Sequence, residues 1–230
     1  MGPEVLVMIS PHTPMYRDAF TVKTAPILEG SFASFGCPQV RISKRNDVDF
    51  AANLLEAAKE EDLPLVAVEA GTSRWSGPGD ELDHGLLVPL FYLDQFFETP
   101  IVSLSISGLE YRSHFLLGAV VRRVCERGGR KAVFVASGDL SHRLKRGAPA
   151  GYSPRGEDFD RRIVEIASSG DFASLYHLDE GLVEAAGECG LRSIHTMWGA
   201  LKDGSLRNSV LSYEGPFGVG YLVSLHVAGG

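Results

Sequence analysis

Val5-Leu6-Val7-Met8-Ile9 runs without interruption into Ser10-Pro11-His12-Thr13-Pro14. An apolar run of this length, closed by a proline-held polar turn, reads as a strand buried on both faces, since a half-exposed strand would alternate. Leu63 to Val68, Ile101 to Ile106 and Lys131 to Ala136 repeat the pattern further along the chain. Between them lie stretches with helical spacing. Asp47 to Glu60 places Val48, Ala51, Leu54, Leu55 and Ala58 on one stripe, with Asp47 as the N-cap. Gly85 to Phe97 is apolar enough to hold a buried helix, and His114 to Arg127 is helical with Gly128-Gly129 as its stop. Strands alternating with helices predict an α/β fold, a central largely parallel or mixed sheet flanked by helices. One domain over residues 1–230 fits the length.

The second half is less regular. Leu144 to Arg155 is a long loop rich in Gly, Pro and basic residues, and Gly71 to Asp80 is a loop of the same kind. Short helices are expected over Phe159 to Ser168, Ala173 to Leu178 and Leu182 to Glu188, and a longer one over Leu191 to Leu201. Val210 to Tyr213 and Val219 to His226 read as closing strands.

Composition narrows the function classes. The chain carries a formal charge of −7, so it lacks the basic footprint of a nucleic-acid binder. No run of 18 apolar residues occurs, and the N-terminus has no basic lead with a long apolar stretch, so neither a membrane span nor a secretory signal is expected. Cys37, Cys125 and Cys189 are odd in number and lack CxxC spacing, which argues against a disulfide framework and points to a reducing cytoplasm. Cys37 and Cys125 are expected as buried small hydrophobes.

Histidines and carboxylates collect where strands end. His12 follows the first strand in a turn held by Pro11 and Pro14, Asp139 and His142 follow the fourth, and His84 precedes an apolar segment. In open α/β sheets, sites gather at the carboxyl edge of the strands. Glu188 stands between Gly187 and Cys189-Gly190 ahead of a helix, where it serves either as a helix cap or as a metal ligand. His114, His177, His195 and His226 have no such setting and are expected as ordinary core or surface histidines. Two imidazoles and one carboxylate form the facial triad of non-haem Fe(II) enzymes, which leaves coordination positions open for a diol and dioxygen. GxSxG, GxGxxG and Walker A sequences are absent.

Ser10-Pro11-His12-Thr13-Pro14, Leu82-Asp83-His84-Gly85 followed by Val88-Pro89-Leu90, Ser137-Gly138-Asp139-Leu140-Ser141-His142 and Glu188-Cys189-Gly190 occur in that order. Together they resemble the catalytic subunit of class III (LigB-type) extradiol ring-cleavage dioxygenases. The likeness is nearest to the branch called AmmeMemoRadiSam system protein B and to Memo-like proteins. The tail Tyr213-Glu214-Gly215-Pro216-Phe217-Gly218-Val219-Gly220-Tyr221 fits that branch as well. The resemblance implies metal ligation by His12 and Glu188; with no histidine between His12 and His84, either His84 joins the metal shell, as in a Memo-like arrangement, or the site has two strong ligands only. It implies His142, with Asp139, as the catalytic pair beside the substrate, and His84 in acid–base steps. Cys189 is a further soft donor. The implied cofactor is Fe(II), with zinc or copper as alternatives. The implied partners are a small aromatic, catechol-type substrate and dioxygen, with a homo-oligomer or partner protein beside them.

Two functions of different class follow: an Fe(II)-dependent extradiol dioxygenase-like oxidoreductase of aromatic compound metabolism, or a metal-binding Memo-like protein without that activity that works with a radical-SAM or other partner. A zinc hydrolase on the same scaffold is a third. Arg143, Lys145, Arg146 and Arg155 around the long loop read either as a solvated basic surface or as an attractor for an anionic substrate.

Overall fold

The computed structural model describes residues 2–71, 79–96, 98–201 and 206–228. Its strands are β1 (Val5–Ser10), β2 (Phe20–Lys23), β3 (Ile27–Phe32), β4 (Cys37–Arg45), β5 (Leu65–Val68), β6 (Ile101–Ser105), β7 (Ala132–Ala136), β8 (Leu206–Glu214) and β9 (Tyr221–Ala228). Its α-helices are α1 (Val48–Glu60), α2 (His84–Leu93), α3 (Tyr111–Gly128), α4 (Gly156–Ser169), α5 (Glu180–Ala186) and α6 (Leu191–Ala200). Short 3₁₀ turns cover Ala33–Phe35 and Phe172–His177.

Among the described residues, five strands form a sheet in the order β5-β2-β6-β1-β7. β1 pairs in parallel with both β6 and β7, β2 pairs in parallel with β5, and β2 meets β6 antiparallel. The mixed, largely parallel sheet flanked by helices is the architecture expected from the alternating elements. Every residue of β1 is buried, which explains its unbroken apolar run. The strand divides its side chains by parity. Val5, Val7 and Ile9 pack with Phe50 and Leu54 of α1 and Leu117 and Val120 of α3. Leu6 and Met8 pack on the opposite face with Leu28, Leu86, Leu87 and Leu90.

The chain divides into two compact units, residues 1–137 with 192–200 and residues 138–191 with 201–230. The first holds the five-stranded sheet, the β3–β4 hairpin and α1 to α3. The second holds α4, α5 and the β8–β9 hairpin. β8 and β9 therefore form their own antiparallel pair rather than closing the large sheet.

Helix ends follow their local chemistry. Asp47 caps α1 by accepting from Phe50 N at 3.0 Å. Gly129 ends α3 in the left-handed region at φ 60°, where a side chain would be strained. The stop falls where the Gly128-Gly129 pair predicts it. Helix α2 keeps Pro89 inside it and ends at Leu93. Phe97, the expected end of that segment, lies outside the described residues, as does most of the loop from Gly71 to Asp80.

One expectation needs correction. Cys37 is exposed: it opens β4 on a hairpin whose neighbouring Phe35, Pro38 and Gln39 are also exposed, so no core reaches it. Cys125 does pack against the core, and burial pushes its thiol up to about 11. β2, β3 and β4 carry no long apolar run. β2 instead buries Thr21 and Lys23, with Lys23 Nζ donating to the Glu81 carbonyl.

The contact between α3 and α6 in the first unit tolerates no enlargement. A Cβ on Gly118 of α3 would stand 1.9 Å from the Thr196 carbonyl, and one on Gly199 would stand 1.9 Å from the Phe115 carbonyl. Both obstacles are backbone, so α3 and the 192–200 segment of α6 would have to separate. Gly118→Ala is expected to cost about 3 kcal/mol, at the upper end for overpacking. Urea unfolding at neutral pH measures it, and a loss below about 1 kcal/mol would show that the two helices slide apart easily.

Candidate metal centre

In the first unit, β1, β6 and β7 run parallel, so Ser10, Ser105 and Ser137 leave the sheet at one edge. The turn after β1 carries His12, and the N-terminus of α2 carries His84. Their ring centroids lie 4.0 Å apart at 35°, and both residues are exposed. Phe35 backs His84 edge-on at 5.5 Å.

Asp83 fixes this pair. Its carboxylate caps α2 by accepting from Gly85 N at 2.9 Å, and it accepts from the hydroxyls of Ser10 at 2.7 Å and Thr13 at 2.6 Å. The three donors tie the β1 turn to the start of α2, so one side chain aligns both histidine-bearing segments. Gly85 is required for space. A Cβ there would meet Ser10 Oγ at 2.4 Å and the His12 ring at 3.2 Å. The Asp-His-Gly order thus has a mechanical basis in cap, ring and clearance.

The second unit gathers the other candidates. Among the described residues, one group of three has metal-ligating atoms within 4.8 Å of one another: Asp139, His142 and Cys189. His142 Nε2 stands 3.4 Å from Asp139 Oδ2 and 3.7 Å from Cys189 Sγ. The Asp139 amide N–H points at the Cys189 sulfur at 3.2 Å. The Cys189 and Gly190 amides donate to the Asp139 carbonyl at 3.2 and 2.9 Å, pinning the two turns together. Gly138, at φ 149°, and Gly190 make that approach possible: a Cβ on Gly138 would lie 2.5 Å from Gly190 Cα.

The electrostatics of the cluster favour positive charge. The Asp139 carboxylate, then the Cys189 thiol, raise the His142 pKa to about 10, against the opposing effect of burial. A Cys–His–Asp set could also be read as a nucleophile with its base. A relay of that kind needs the carboxylate and the nucleophile on opposite ring nitrogens. Here both face Nε2. Carboxylate oxygen, imidazole nitrogen and sulfur around one point are a donor set that suits a borderline or soft divalent ion.

Glu188 Oε2 accepts from Leu191 N at 2.6 Å, so the carboxylate performs the helix-capping role its position between glycines allows. Cys189, one residue on, joins the cluster. His114 and His195 are buried in the first unit, His177 is exposed, and His226 bonds Asn208 and Ser224 in the β8–β9 hairpin. Three of the basic side chains of the long loop are engaged locally. Arg155 pairs with Asp179 at 2.7 Å, Lys145 donates to the Pro216 carbonyl and Arg143 to that of Glu184. Sequence reading did not find Asp83 as the brace between His12 and His84, although an Asp directly before a helix start is a cap signal.

Among the described residues, no helix is long and apolar enough to cross a membrane. A solved structure of an uncharacterized protein, JW3007 of Escherichia coli K12, superposes with a TM-score of 0.68 over 98% of this chain and 86% of that one, at 19% identity, which shows a shared fold. Protein CA_C1420 of Clostridium acetobutylicum is 33% identical over 221 residues, 96% of this chain. The chain spans about half of that relative's length, 47%. A family model described as the catalytic LigB subunit of aromatic ring-opening dioxygenase matches residues 1–224. The chain therefore belongs to the LigB family of aromatic ring-opening dioxygenase catalytic subunits.

Proposed function

We propose that the protein is a metal-dependent, extradiol dioxygenase-like oxidoreductase acting on a small catechol-type aromatic. The observation that carries this reading is the convergence of Asp139, His142 and Cys189 donor atoms within 4.8 Å, on a chain of the LigB family. His142, Asp139 and Cys189 would hold the ion from the second unit. Glu188, in the same unit, offers a further carboxylate. The cation is Fe(II) in this reading, with zinc or copper as alternatives. When bound, Fe(II) would supply the site at which a diol and dioxygen react.

The protein's own groups have separate tasks. In the first unit, His84, exposed and braced through Asp83, is the imidazole suited to accept a hydroxyl proton as a general base. Phe35 lies against that imidazole and offers an aromatic face to a ring substrate. Asp139 fixes the orientation of His142.

The test is direct. Purified protein loaded with Fe(II) under nitrogen is given a panel of catechols and then oxygen, and the coloured ring-fission product is followed. Turnover is expected, and His84→Ala should lower kcat by about 10²–10⁴-fold, the usual worth of a positioned general base. Bound iron without product across a broad panel rejects ring cleavage.

A second reading draws on Cys189. A thiol in the donor set departs from the two-histidine, one-carboxylate pattern of Fe(II) oxygenases and suits zinc or copper. It supports a Memo-like metal-binding protein working with a radical-SAM or other partner. A purified protein that holds copper or zinc in preference to iron favours this second function.

A further inference from the structure

The turn that bears Asp139 and His142 is held from behind by groups outside the Asp139–His142–Cys189 cluster. Asp160, on α4, has no exposed surface, and both of its carboxylate oxygens are occupied. Oδ1 accepts from the Ser141 amide at 2.7 Å, and Oδ2 accepts from the Tyr213 hydroxyl at 2.7 Å. Ser141 is a hub. Its hydroxyl donates to the Ala186 carbonyl at 3.0 Å and accepts from Arg143 N at 3.1 Å. The neighbouring His142 amide donates to the same Ala186 carbonyl at 3.1 Å.

The C-terminal tail completes the cradle. Leu140 N donates to the Gly220 carbonyl at 2.8 Å, Gly220 N donates to the Ser141 carbonyl at 2.8 Å, and Leu144 N donates to Gly218 at 3.0 Å. The tail runs so close that a Cβ on Gly220 would stand 2.0 Å from Asp160 Oδ2. The segment from Tyr213 to Tyr221 thus lies along the back of the histidine turn, with Tyr213 at one end and Gly220 against the carboxylate. Burial, then the Asp160 hydrogen bond, push the Tyr213 hydroxyl above its usual range, so it remains a proton donor across the working pH.

We infer that Asp160 and Tyr213 are positioning residues of the metal centre, which set the location of His142 and Asp139 relative to Cys189 through Ser141. The physical reason is that a buried carboxylate with both oxygens bonded cannot shift without leaving a group unpaired, so it locks the backbone of the turn. His142 and Asp139 flank Ser141 by one and two positions, and any movement of that residue moves their ligand atoms. This assigns a task to the Tyr-Glu-Gly-Pro-Phe-Gly-Val-Gly-Tyr tail, which no ligand role absorbs.

The inference rests on the metal reading of Asp139, His142 and Cys189, and the experiment separates the two. Co(II) is titrated into metal-free protein, and the d–d and thiolate-to-cobalt absorption bands are recorded for wild type, Tyr213→Phe, Asp160→Ala and Asp160→Asn. Wild type is expected to bind with a thiolate band. Asp160→Ala should bind about 10–100-fold more weakly with displaced d–d bands, the range seen when groups behind a ligand are lost. Tyr213→Phe should weaken binding several-fold, and Asp160→Asn, which keeps an acceptor for Ser141 N, should recover most of the loss. Wild-type affinity and an unshifted spectrum in both Tyr213→Phe and Asp160→Ala overturn the inference. If Asp160→Ala fails to fold, Tyr213→Phe decides alone by the same criterion. Absence of any cobalt spectrum in wild type overturns the metal reading and the inference with it.

Discussion

His142→Ala is expected to leave a folded protein whose affinity for a divalent transition metal falls by at least about 100-fold. The lower bound comes from groups behind the ligands, whose loss costs about 10–100-fold, so deleting a donor itself costs at least the top of that range. The fold survives because the His142 side chain is partly exposed and its structural bond is made by the backbone, from His142 N to the Ala186 carbonyl. Alanine keeps that bond. Cys189→Ser should show a smaller loss for Fe(II) than for zinc or copper, since it replaces a soft donor by a hard one. Isothermal titration against a competing chelator, with metal content per chain, provides the measurement. Full affinity in both His142→Ala and Cys189→Ala, with affinity lost in His12→Ala or His84→Ala, would assign the ion to the imidazole pair and remove Asp139, His142 and Cys189 from the centre.

Acid should unfold the metal-free protein in a window set by two buried histidines. His114 and His195 have no exposed surface, and burial, first among the causes, lowers each pKa from 6.5 to about 4. For His195, the neighbouring His114 and Arg192 add to the effect. The geometry of His114 requires the neutral ring. Nδ1 faces the Glu110 carbonyl at 3.0 Å while Nε2 accepts from Ser107 N at 3.3 Å, and a proton on Nε2 would oppose that amide.

A folded pKa below the unfolded one means that stability is complete above pH 6.5 and declines as the unfolded chain takes up protons the folded chain refuses. The slope approaches about 1.4 kcal/mol per pH unit for each histidine, and the loss saturates near pH 4 at about 3 kcal/mol per group. The two couple, so their effects do not simply add. His142 has the opposite shift: its contribution grows as pH falls from about 10 and is constant below 6.5, so it leaves this window unaltered. Urea midpoints at intervals from pH 7.5 to 4.5 measure the slope, and His114→Gln should flatten it. A midpoint that stays level down to pH 5 contradicts the buried neutral pair.

The chain order of elements was legible wherever burial writes itself as composition. β1, β6 and α1 are continuous or periodic apolar patterns because each meets a packed layer, and Asp47 and Gly129 mark ends because capping is local chemistry. β2, β3 and β4 escaped because their pairing is non-local and their buried members include Thr21, Lys23 and Lys44, whose polarity hides their depth.

For the site, the sequence by itself singled out the candidates, His12, His84 and Glu188 as ligands, His142, His84 and Asp139 as catalytic residues and Cys189 as a further soft donor, because they stand in short turns at or near strand and helix ends, and turn chemistry is local. Only the tertiary structure decided how they group. Glu188 and Cys189 are neighbours in sequence, yet the direction of one turn gives the carboxylate to Leu191 N and the sulfur to His142. Which of two adjacent side chains faces a partner nearly fifty residues away depends on backbone dihedrals fixed by long-range hydrogen bonds, and these leave no trace in residue order.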